Sequence, residues 1–181
     1  MKTLILLRHA KSSWDDPVER DFDRPLNNKG HRAAGTVGRT LKVFGYHFDL
    51  VMASPAMRVK ETIASVEEGF GEQLEPHYDR RVYLASVNTL MDVIHGAPDS
   101  ADTLLLVGHN PGMEELVFLL VPDRESDLER DKVEQKYPTA AVAEIRLDID
   151  HWREASADSG HLIRFIRPRD LDTTLGPDQP H

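Results

Sequence analysis

Three short stretches of this chain place basic and imidazole side chains directly behind apolar runs. Arg8-His9-Ala10 follows Leu4-Ile5-Leu6-Leu7. Ser54-Pro55, with Arg58 three residues further on, follows Asp49-Leu50-Val51-Met52-Ala53. Gly108-His109-Asn110-Pro111 follows Thr103-Leu104-Leu105-Leu106-Val107. Taken singly, a histidine at a strand end is more often a packed core residue, and an arginine one turn into a helix is usually a surface charge. Gathered in one crevice, two guanidiniums and two imidazoles have an obvious partner, a phosphoryl group. Arginine donates to phosphate oxygens in a planar, bidentate fork, imidazole can act as a nucleophile near neutral pH, and helix starts near Arg58 and Gly112 would add backbone donors.

Convergence requires that the three apolar runs be neighbouring strands of one sheet, because ligands of open α/β sheets bind beyond the carboxyl ends of the strands. The runs are short and continuously apolar, as in strands buried on both faces. Between them lie helical patterns. Asn27-Asn28-Lys29-Gly30 carries turn or cap chemistry and is followed by Ala33, Val37, Leu41 and Phe44; Val59, Ile63 and Val66 recur within 56–69; Val87–His95 and Met113–Leu120 complete the set. A weak strand is expected within 76–83. Residues 122–136 are polar and poorly periodic, which predicts a solvated helix or surface loop. The stretches 140–149 and 161–166 alternate as strands and predict a hairpin at the sheet edge. The expected fold is α/β, three layers with a mostly parallel central sheet and a late antiparallel edge hairpin, forming one domain over residues 1–167. Residues 168–181 are expected as a flexible tail.

Length and composition agree with that outline. The chain has 181 residues, enough for one domain with a sizeable core. Its 22 basic and 31 acidic residues leave a net charge of −9, which opposes general binding to nucleic acid or anionic membrane. The absence of cysteine excludes disulfides, thiolate zinc sites and cysteine nucleophiles. No stretch reads as a signal peptide or a membrane span, so a cytoplasmic protein is expected. The histidines other than His9 and His109 show no ligand spacing, and no metal site is expected.

The combination resembles the histidine phosphatase superfamily, the group that includes phosphoglycerate mutase. The resemblance rests on Arg8-His9-Ala10 with Ser12 and Trp14 behind it, on Leu26 to Gly30, on Ser54-Pro55-Ala56-Met57-Arg58-Val59-Lys60-Glu61-Thr62, which follows the pattern S-P-x-x-R-x-x-x-T, and on Gly108-His109-Asn110-Pro111. Asp23-Arg24-Pro25-Leu26, Tyr137-Pro138-Thr139 and the short length look like the small SixA-type phosphohistidine phosphatases. The resemblance implies the phosphoglycerate mutase-like fold and a two-step phosphoryl transfer without cofactor or metal. In it His9 is the nucleophile, Arg8, Arg58 and His109 hold the phosphoryl oxygens, and Ser12 and Asp15 are further substrate contacts.

One departure bears on substrate. Phosphoglycerate mutase-like members carry a glutamate general acid at a place corresponding to 79–86, where this chain reads Asp79-Arg80-Arg81-Val82-Tyr83-Leu84-Ala85-Ser86. An alkoxide leaving group needs a proton donor, worth about 10²–10⁴-fold in rate. Imidazole, with a conjugate acid near pKa ~6.5, leaves more readily. The expected substrate is therefore phosphohistidine in a protein. The alternatives are a small phosphomonoester, with Asp15, Asp21 or Asp23 as the acid, and an inactive phospho-binding module.

Overall fold

The computed structural model describes residues 1–14 and 20–177. Strand β1 (Lys2–Arg8) lies inside a six-stranded sheet between β4 (Thr103–Gly108) and β5 (Val142–Leu147). Beyond β4 come β2 (Leu50–Ala53) and β3 (His77–Tyr78), and beyond β5 comes β6 (Gly160–Ile166), giving the order β3-β2-β4-β1-β5-β6. The first four of these are mutually parallel, and β5 and β6 are the expected antiparallel hairpin.

Register brings the three motif ends level. Arg8 pairs with Gly108 and Ala53 with Val107. The next residues, His9 and Ser54, still donate their backbone N–H to Gly108 O at 3.0 Å and Val107 O at 3.1 Å. His9, Ser54 and His109 thus leave the sheet side by side.

The continuous apolar runs are explained by burial on both faces. Leu4 and Leu6 of β1, with Leu104 and Leu106 of β4, point into one layer, shared with α3 (Val87–His95) and α4 (Gly112–Leu120). Ile5, Leu7, Leu105 and Val107 point into the other, against α1 (Asn28–Val43) and α2 (Met57–Phe70). Each such side chain contributes about 1.5–3 kcal/mol of burial, so the strand ends stand on the most strongly held part of the molecule.

Helix α1 begins where Asn27 accepts the Gly30 N–H at 2.8 Å. Gly30 is demanded by close approach, since a Cβ there would lie 2.1 Å from Lys11 O. That contact seats the loop after β1 on the start of α1.

The weak strand expected within 76–83 is present as the two residues of β3, ended where the Asp79 side chain accepts the Arg81 N–H and opens a 3-10 turn, Arg80–Val82. Two sequence expectations need correction. The polar segment 122–136 contains α5 (Leu128–Gln135), which is not wholly solvated: Val133 and Arg130 are buried, and Glu129 accepts the Phe165 N–H of β6 at 2.8 Å. An acidic helix face here serves the sheet edge. Residues 168–177 do not behave as a tail. They form α6 (Pro168–Leu171) and a 3-10 turn, Thr173–Leu175, and Leu175 is buried with the α1 side of the core. Low apolar content hid the segment, since one leucine and one proline, both buried, anchor it.

Candidate active site

The strand ends form the floor of a cavity of about 320 Å³ that is walled by Arg8, His9, Arg58 and His109, with Ser12 and Asp21 at its side. His9 is nearly buried, and its Nδ1 lies 2.7 Å from Ala10 O. A carbonyl only accepts, so Nδ1 carries the hydrogen and Nε2 is left with its lone pair. Ala10 is fixed in turn by Thr62 of α2, whose Oγ1 accepts the Ala10 N–H at 2.9 Å and donates to Arg58 O at 2.6 Å. The threonine that ends the S-P-x-x-R-x-x-x-T pattern therefore ties the histidine loop to the arginine helix.

Arg58 is buried inside the first turn of α2 and faces His109. Its Nη2 lies 3.2 Å from His109 Nδ1, and because arginine only donates, that nitrogen is the acceptor. His109 thus carries its hydrogen on Nε2 and gives it to Ser54 Oγ at 2.8 Å. The two imidazoles are 5.2 Å apart between ring centroids. Arg8 donates from Nη1 to Tyr137 O at 2.9 Å, and Asn110 Nδ2 reaches the same carbonyl at 3.0 Å. The peptide bond between Asn110 and Pro111 is cis.

Burial pushes both imidazoles down to about 3. At His9 the nearby Arg58 and Arg8 add to the effect against the hydrogen bond to Ala10, and at His109 His9 and Arg58 add to it. Both rings are therefore neutral at pH 7. A buried neutral imidazole with a free Nε2 beside two guanidiniums is suited to attack an electrophile that brings its own negative charge. Among the described residues, Arg8 Nε and Arg58 Nε are buried without a hydrogen-bond partner. Among the described residues, no group of three or more His, Asp or Glu is placed to hold a metal ion.

The rim comes from the loop after β1. Ser12 forms a bridge with Leu26 and accepts a hydrogen bond from Arg24 Nη1. Arg24 also stacks on Trp14, 3.6 Å from its ring centroid, and pairs with Asp21 at 3.0 Å. Asp21 is held on three sides: Oδ2 accepts from Tyr83 Oη at 2.5 Å and from Arg58 Nη2 at 3.0 Å, and Oδ1 accepts from Arg24. Burial pushes the Asp21 carboxyl up, but Tyr83, Arg24 and Arg58 outweigh it and hold the carboxyl well below the usual range. It is a poor proton donor at neutral pH. From the stretch 79–86, apolar Leu84 lines the wall.

The structure brings Arg8, His9, Arg58, His109 and Ser12 to one cavity. Asp15 lies outside the described residues. Sequence reasoning gave no role to Tyr83, Arg24 or Thr62. Thr62 had a signal in its spacing from Arg58. Tyr83 and Arg24 had none strong enough, because their function is to grip an aspartate through contacts that only the fold creates.

Comparison with known proteins places this geometry. Residues 4–82 match the family model of the histidine phosphatase superfamily (branch 1). An uncharacterised protein of Mycobacterium tuberculosis is 32% identical over 164 residues, spanning 90% of this chain and 100% of the relative. A candidate phosphohistidine phosphatase SixA from Nakamurella multipartitia superposes with a TM-score of 0.80 at 26% identity, covering 92% of this chain and 96% of its own. Another from Agrobacterium tumefaciens gives 0.75 at 29% identity, covering 92% and 98%. The chain belongs to the histidine phosphatase superfamily, in its SixA-type branch, and is a hydrolase of phosphate esters.

Proposed function

We propose that this protein removes phosphate from phosphohistidine side chains of a protein, through a phosphohistidine intermediate on His9. The observation that carries the reading is the pairing of His9 Nδ1 with Ala10 O at 2.7 Å, which leaves Nε2 unprotonated in the cavity beside Arg8 and Arg58.

The Nε2 lone pair attacks phosphorus. The new N–P bond forms as the P–N bond to the substrate imidazole breaks, and that electron pair goes to the departing ring, which takes a proton from water. A second water then attacks phosphorus, the pair of the His9 N–P bond returns to Nε2, and the proton lost by that water goes to solvent. Arg8 and Arg58 neutralise the charge on the equatorial oxygens, where positioned donors give the largest catalytic effects. His109 has both nitrogens engaged, so it braces Arg58 against Ser54.

The preference for an imidazole leaving group rests on the proton inventory. Asp21 is held ionised and Leu84 is apolar, so the described wall offers no carboxylic acid to an alkoxide. The test compares kcat/KM for a phosphohistidine-bearing protein domain with that for a panel of small phosphomonoesters, using His9→Ala as the blank. A ratio far above one supports the reading, and His9→Ala should lose at least about 10³-fold with both substrate classes. A ratio at or below one makes the protein a metabolite phosphatase. Tight phosphate binding without turnover or trapped phosphoenzyme makes it a binding module.

A further inference from the structure

A second cavity, of about 260 Å³, opens on the far side of Arg8. Arg8, Lys11 and Thr139 belong to the walls of both cavities, so the two are adjacent. Three more cations line the second one: Lys29 from the first turn of α1, Lys136 directly after α5, and Arg169 of α6. Among the described residues, no acidic side chain lines it. On a chain whose net charge is −9, five cations around one concavity run against the average of the surface. They are also brought together from widely separated places in the sequence, and the segment that closes the cavity is the one whose composition suggests a tail. Lys29 Nζ donates to Gly176 O at 2.5 Å, which fastens that segment in place as a wall.

Among the described residues no histidine lines this cavity, so it is read as a place where an anion is held. Its concave shape and small volume suit a side chain or a single anionic group on a short stem, whereas a polyanion would meet the repulsion of the rest of the surface. We propose that this basic cavity is a subsite for a second anionic group of the substrate, a carboxylate or phosphate carried on the same molecule as the phosphoryl group that sits at His9. The proposal rests on the reading of the His9 cavity above and adds a specificity determinant to it. In a phosphoprotein substrate the group is an acidic side chain near the phosphohistidine; in a small substrate it is a second phosphate.

The test uses two matched pairs of substrates and the double variant Lys136→Gln/Arg169→Gln, which leaves the His9 cavity untouched. One pair is a phosphohistidine peptide with glutamates flanking the phosphorylated residue and the same peptide with glutamines. The other is fructose 1,6-bisphosphate and fructose 6-phosphate. The variant should lower kcat/KM about tenfold for the anion-rich member of one pair, with its neutral partner changed less than about twofold. The pair that responds identifies the source of the anion. A response confined to the sugar pair leaves the subsite standing and overturns the phosphohistidine reading. Equal changes within both pairs, or none in either, overturn the subsite while leaving that reading intact. If the wild type turns over none of the four, calorimetry with orthophosphate and tripolyphosphate decides: selective loss of tripolyphosphate affinity in the variant supports the subsite, and unchanged selectivity rejects it.

Discussion

His9 and His109 are 7% and 3% exposed and stand at the ends of strands in the sheet, whereas Ser12, Trp14, Asp21 and Arg24 lie on a loop held by a backbone bridge between Ser12 and Leu26 and by side-chain contacts. The floor is positioned by apolar burial beneath it and by Thr62 and Ser54, hydroxyls that accept backbone N–H groups. The rim is positioned by charge: one aspartate gripped by two arginines and a tyrosine. Apolar packing is indifferent to ionic surroundings and to an arriving phosphate. An ion-pair cluster is not, because a phosphate competes with Asp21 for Arg58. The floor is thus built to keep its geometry and the rim to yield.

The largest expected effect tests the floor. Arg58→Ala removes a guanidinium that spans His109 and Asp21 and that the proposed function places on the phosphoryl group, and kcat/KM should fall by about 10²–10³-fold. Steady-state kinetics on the best substrate measures it. A loss below about tenfold would show that Arg8 alone neutralises the transferring group and that the floor is less concerted than its geometry indicates.

Acid stability sharpens the same contrast. The folded-state values of His9 and His109 are lowered from 6.5 to about 3, so between those two values the unfolded chain binds protons that the folded chain does not. Stability contributed by the neutral rings is fully present above pH 6.5 and is lost as pH falls toward 3. Each ring should contribute a slope of up to about 1.4 kcal/mol per pH unit across that window. Urea unfolding of wild type and His9→Asn at a series of pH values from neutral down to about 4 measures it, and a slope unchanged by the substitution would mean that His9 titrates normally. NMR of the ring should show the Nδ1–H tautomer of His9 persisting from about pH 8 to about pH 5.

The smallest effect belongs to the rim. Asp21→Asn keeps the shape of the side chain and removes the charge that competes for Arg58. Inhibition by inorganic phosphate should tighten by about three- to tenfold, with turnover changed less than about threefold. If turnover instead drops by about two orders of magnitude, Asp21 is a proton donor and the distinction between floor and rim disappears.

Much of the floor was legible before any coordinates. Short continuous apolar runs fit strands covered on both faces, and the polar residues that end them then emerge at the carboxyl ends of those strands. The residue types at those ends left few chemistries, whereas the contact of Thr62 with the loop after His9 came only with the fold. The rim and the second cavity were not legible. Asp21 pairs with Tyr83 across 62 residues, and Lys29 meets Gly176 across 147.

The sequence by itself determined the layers, the three strand ends and the identity of the groups they carry, because these follow from local periodicity and from the apolar content of short segments. Only the tertiary structure decided the tautomer of His109, the capture of Asp21 as a carboxylate, and the gathering of Lys29, Lys136 and Arg169 around one cavity. Those depend on which distant groups share a low-dielectric space, and charge and proton position respond to distance in space, not to separation along the chain.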